Sequence, residues 1–196
     1  MSEFWLFLSN LGDSRWLLPM AMVLLLALPR SEARFKRRWA LAIAATAGLT
    51  LASKLAFMGW GLGIQRLDFT GISGHAAMSS AVYPVVGILL ATAFRSRAYF
   101  GAAAGVGLAV AIAASRLPLH AHSLAEVMAG LALGLASSAW VLRCGLPTER
   151  IPTWAMGAAV MAGLALPLAV PELHTHRFVI ALAKLLSGRT TVFEHF

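Results

Sequence analysis

The stretch HAAMSSAVYPVVGILLATAF, His75 to Phe94, runs for 20 residues without an Asp, Glu, Lys or Arg. At about 1.5 Å per residue, a helix of that length matches the roughly 30 Å of hydrocarbon in a bilayer. Its first residue is the exception, a titratable imidazole. Ionisable groups at membrane depth are costly and mark function by default. The stretch therefore predicts a membrane-spanning helix with a polar site at its head, where Phe69 to Ser80 reads FTGISGHAAMSS.

The rest of the chain agrees with a membrane class. Of 196 residues, 59% are hydrophobic and 12% charged, with a mean hydropathy of +0.77, well beyond what a soluble domain of this size needs for one core. Further apolar runs predict spans at Trp16–Leu28, Trp39–Leu62, Ala98–Ala114, Ser123–Leu142 and Trp154–Val170. Six helices in an all-α bundle are expected. No repeat or low-complexity linker divides the chain, so residues 1–196 read as one membrane-embedded domain with its core at about 39–142. The opening SEFWLFLSNLGDS is too short to cross and mixes aromatic with polar residues, as an interfacial segment does. It carries neither a basic region nor a small-residue cleavage site, so no removable signal peptide is expected. In the tail, residues 172–196, RFVIALAKLL has helical spacing of apolar residues and predicts a helix lying on the membrane surface. Pro84 and Pro167 fall inside spans as tolerable kinks. Gly101 with Gly105, and Gly130 with Gly134, have the spacing of close helix packing.

The formal net charge of +8 comes without a basic stripe interleaved with aromatics, and nucleic acid is not an expected partner. The basic residues sort by loop instead. Arg30, Arg34, Lys36, Arg37 and Arg38 precede the second span, Arg95 and Arg97 follow the third, and Arg143 and Arg150 follow the fifth. With six spans these share one side, and basic loops face the cytoplasm. The second and fourth loops then face outward with only Arg66 and Arg116, and they hold His75, His120 and His122. Cys144 is the single cysteine, which excludes an internal disulfide and any paired-cysteine metal or redox motif.

Two polar clusters thus meet one face, ISGH at 72–75 and SRLPLHAHSLAEVMAG at 115–130. His122 and Glu126 are four apart, on one face of a starting helix. A carboxylate on one ring nitrogen fixes the tautomer and leaves the other nitrogen nucleophilic. Ser123 and Glu126 also form an S-x-x-E capping box, a role compatible with holding the histidine still. His75 has no carboxylate at helical spacing, although Asp68 is near in sequence. Ser73 and Gly74 open a helix whose free N–H groups favour an anion, and Arg116 offers a fork suited to phosphate oxygens. Lys54 lies about two turns inside the second span, either snorkelling outward or serving the same anion. A histidine nucleophile, a second histidine as acid and a cationic cradle together point to phosphoryl transfer through a phosphohistidine.

ISGH and S-R-x5-H-x3-E resemble the P-S-G-H and S-R-x5-H-x3-D signatures of the type 2 phosphatidic acid phosphatase family, which shares a superfamily with vanadium haloperoxidases. The resemblance implies a vanadium-haloperoxidase-like helical core with His122 as nucleophile, Glu126 as its orienting carboxylate and His75 as general acid. It implies phosphate binding by Ser73, Gly74, Arg116 and Lys54, with no metal or cofactor. Three positions depart from the family. Ile72 replaces the usual proline and Glu126 the aspartate. The K-x6-R-P signature is half present, because Lys54 is followed at that distance by Gly61 and Leu62. Either Arg66 supplies the missing cation or phosphate is held less tightly.

The expectation is an integral phosphatase of the bacterial inner membrane, hydrolysing a lipid phosphate or pyrophosphate at its periplasmic face, with lipid bilayer and lipid phosphate as its partners. Transfer of the phosphoryl group to another lipid is a close variant. Two rivals stand beside it. One is a metal-dependent hydrolase built on His120 with His122 and His174 with His176. The other is a non-catalytic transporter or scaffold.

Overall fold

A computed structural model describes residues 2–169 and 175–194. Among these the elements are α1 (Ser2–Asn10), α2 (Ser14–Ala27), α3 (Ala33–Trp60), α4 (Gly74–Ala93), α5 (Ala98–Ser115), α6 (Leu124–Arg143), α7 (Thr153–Ala169) and α8 (Thr175–Ser187). Single 3-10 turns at Arg30–Glu32 and Gln65–Leu67 complete them. The chain is all-α among the described residues, apart from an isolated bridge between Ile64 and Phe69.

Among the described residues four segments are long and apolar enough to cross a membrane: 30–60, which contains α3, and α4, α5 and α6. The expectation of six spans is met only in this part. Helix α2 has 14 residues and α7 has 17, about 21 and 26 Å of helix against roughly 30 Å of hydrocarbon. They pack against each other, with Gly163 of α7 lying against Trp16 of α2. The second span also begins earlier than Trp39. Arg34, Lys36, Arg37 and Arg38 sit in the first turns of α3, not in a loop, because Lys and Arg are good helix formers with long stems that reach water from a helix end.

Helix α4 is the centre, with 13 of its 20 residues buried. It packs against α2, α3, α5 and α6, which explains why its sequence is apolar all round. Glycine permits this closeness. A Cβ on Gly105 would overlap the Tyr83 carbonyl, and one on Gly134 the Ala77 carbonyl. Lipid gives no hydrophobic drive for helices to associate, so such contact is a main source of adhesion.

The loops segregate at two ends. At one, buried Glu32 accepts from Thr148 N at 2.7 Å, Thr148 Oγ1 at 2.6 Å and Glu149 N at 3.0 Å, while Arg38 donates to the Cys144 carbonyl. This end gathers the strongly basic segments. At the other, the α3–α4 loop (61–73), the α5–α6 loop (116–123) and the α1–α2 turn (11–13) come together. Helix α1 packs on α5 with Ser9 buried, while Phe4 and Phe7 stay exposed. In the tail, α8 docks on α3 through buried Val179 and Ala183, and Phe193 packs over Gly61.

Candidate active site

The site begins with the cap of α6. Ser123 Oγ accepts from Glu126 N at 3.3 Å and Glu126 Oε2 accepts from Ser123 N at 3.3 Å, a complete capping box. The same Oε2 accepts from His122 Nδ1 at 2.6 Å. Capping and orientation are therefore one arrangement. An ionised carboxylate only accepts, so Nδ1 carries a proton, and in the neutral ring Nε2 then keeps its lone pair. The side chain of Glu126 is 5% exposed and that of His122 is 15%, so the pair is largely withdrawn from water while the ring remains reachable.

The other carboxylate oxygen ties the α3–α4 loop to the start of α6. Glu126 Oε1 accepts from Thr70 N at 2.7 Å, Thr70 Oγ1 at 2.6 Å and Gly71 N at 3.1 Å. The Glu126 carbonyl accepts from Ser73 N at 3.2 Å. Gly71 lies so close to α3 that a Cβ there would stand 3.3 Å from the Lys54 Cα. Ser53, next to Lys54, accepts from Ile72 N at 3.0 Å through its hydroxyl. The loop carrying Ser73 and Gly74 is thereby fixed to both α3 and α6.

Ser73 is the N-cap of α4, but its hydroxyl makes no capping bond. It is fully buried, and its Oγ has no partner among the described residues. Arg116 Nε is likewise buried and unpartnered, while its Nη1 donates to Ser9. Buried donors without acceptors are expensive. Here they stand beside the first turn of α4, whose N–H groups also lack intrahelical acceptors. These donors suit an oxyanion. Burial pulls the Arg116 guanidinium below its ordinary value, and the Asp13 charge partly offsets this.

The structure brings the expected residues to one end of the bundle. His75 lies within electrostatic range of Arg116, Asp13, His122 and Lys54, and Lys54 within range of Glu126 and Arg116. Three candidates stay apart. Arg66 is exposed on the α3–α4 loop. Asp68 is exposed there too, in a left-handed backbone conformation with φ of 46°. His120 is exposed with φ of 49°. Among the described residues no three His, Cys, Asp or Glu are grouped to hold a metal; His174 and the side chain of His176 lie outside them.

Sequence reasoning missed Ser9, Gly12, Asp13 and Thr70. Asp13 caps α2 through Arg15 N at 2.8 Å and pairs with Arg15 Nη2 at 2.7 Å. Burial raises its carboxyl, but the Arg15 hydrogen bonds and charge, with a smaller contribution from His75, hold it below its ordinary value. Asp13 before a helical run was a readable cap signal; nothing local indicated that its turn lies on His75.

A family model described as the PAP2 superfamily matches residues 59–150, which include every expected site residue except Lys54. The chain is 45% identical over 188 residues to a Klebsiella pneumoniae protein described as "Uncharacterized 22.5 kDa protein in cps region", covering 94% of this chain and 88% of the relative. No solved structure matches the chain.

Proposed function

The chain belongs to the PAP2 superfamily, and on that premise we propose that it is a membrane phosphatase hydrolysing a lipid phosphate or pyrophosphate through a phosphohistidine on His122. Members of that superfamily are generally phosphatases, and the four helices among the described residues that are long and apolar enough to span support a membrane setting. The observation that carries the reading is the His122–Glu126 pair at 2.6 Å beside two buried, unpartnered donors, Ser73 Oγ and Arg116 Nε.

In this reading the His122 Nε2 lone pair attacks phosphorus while the bond to the leaving oxygen breaks. Glu126 stabilises the imidazolium character that develops on the ring. Ser73, Arg116, Lys54 and the α4 N-terminus hold the equatorial oxygens, so charge growing in the transition state meets donors already in place. His75 gives a proton to the departing lipid oxygen, then takes one from the water that attacks the phosphohistidine. The P–N bond breaks, and free His122 and phosphate result. We place the reaction at the periplasmic face of the inner membrane, because the site lies at the end opposite the basic segments.

A panel of phosphorylated lipids assayed in EDTA tests the reading. Phosphate release from a lipid phosphate or pyrophosphate, inhibited by vanadate, is expected. Activity lost in EDTA and restored by zinc would support a histidine-ligated metal hydrolase instead. No release from any lipid would favour a transporter or scaffold.

A further inference from the structure

The end of α1 and the α1–α2 turn lie outside the stretch matched by the family model, yet they touch two site residues. Ser9, 3% exposed, accepts a hydrogen bond from Arg116 Nη1. Gly12 is so close to His75 that a Cβ there would stand 3.3 Å from His75 Cδ2 and would collide with Ile112. The turn is itself anchored to the core. Tyr83 Oη donates to the Leu11 carbonyl at 2.6 Å, and Trp16 Nε1 donates to Tyr83 Oη at 3.2 Å.

The shape of the guanidinium gives the Ser9 contact its meaning. A phosphate is gripped by parallel N–H groups along one edge, and the Nε–Nη2 edge does not include Nη1. Tying Nη1 to Ser9 stops rotation about the end of the side chain and leaves that edge available. Its Nε is the buried donor with no acceptor among the described residues. The chain also has Gly61 where the family signature places an arginine, so the direction of this one guanidinium matters more.

We propose that Ser9 is a positioning residue, holding Arg116 by Nη1 so that the Nε–Nη2 edge meets the phosphoryl group, and that the α1–α2 turn is a wall of the active site. The inference rests on the phosphoryl-transfer reading of that site. It makes the N-terminal helix part of the catalytic unit.

The test uses the full chain in lipid nanodiscs, comparing wild type with Ser9→Ala, Ser9→Cys and Ser9→Thr by vanadate titration calorimetry and by turnover of a lipid phosphate. Loss of a hydrogen bond to a charged group is expected to weaken vanadate binding and raise KM about tenfold in Ser9→Ala. Ser9→Cys, similar in size with a weak acceptor, should match it, while Ser9→Thr should stay within about twofold of wild type. In an Arg116→Lys background Ser9→Ala should add nothing, because an ammonium has no fork to orient. Vanadate affinity and KM unchanged in Ser9→Ala, or an equal effect in both backgrounds, would overturn the inference while leaving an active enzyme intact. Ser9-dependent vanadate binding in a protein that turns over no lipid phosphate would keep the inference and sink the proposed function. If wild type neither binds vanadate nor turns over, both fall.

Discussion

Glu126 shows how much one side chain decides. Both its oxygens face donors, His122 Nδ1 and Ser123 N on one, Thr70 and Gly71 on the other. An amide in its place must turn an NH2 group toward a donor whichever way it flips. Glu126→Gln should therefore lower kcat by about 10²-fold or more, as loss of a histidine-orienting carboxylate does; full activity would leave Glu126 as a helix cap only. Ser123→Ala separates the two roles. It should cost about 1 kcal/mol of stability, read as a lower Tm, with turnover largely kept because the His122 bond survives. The histidine pair was legible because its residues are one helical turn apart. Thr70 and Ser9 were not, because their partners lie 56 and 107 residues away, and no local pattern encodes such meetings.

At the scale of elements, the site depends on how closely α6 approaches α4. His122 and Glu126 ride at the start of α6, Ser73 and His75 at the start of α4, and Gly130 and Gly134 set the separation. Gly134→Ala should force the helices apart at the Ala77 carbonyl, costing about 1–3 kcal/mol and reducing kcat several-fold as the two histidines separate. Gly107→Ala on α5 is the control. A Cβ there meets nothing within 4 Å, so Tm should hold or rise by the ordinary helix preference for alanine. Equal damage at both positions would contradict the packing argument. The small-residue spacing was readable in the sequence. So was the shortness of α2 and α7, since the apolar runs at Trp16–Leu28 and Trp154–Val170 are within a residue of the helices' own lengths.

At the scale of the molecule, the two ends of the bundle are chemically different, and the proposed periplasmic placement of the site rests on this asymmetry. A tag inserted at Ser31, among the basic residues, is expected to be protected in intact cells, and one beside Arg66 accessible to an impermeant reagent. Reversed labelling would move the site to the cytoplasm. The central claim, that His122 carries the phosphoryl group, is tested most directly by rapid quench of the enzyme with a phosphorus-labelled lipid phosphate. The account predicts acid-labile label on His122 that appears before free phosphate, and neither label nor turnover in His122→Ala. Label on another residue, or turnover persisting in that variant, would contradict it.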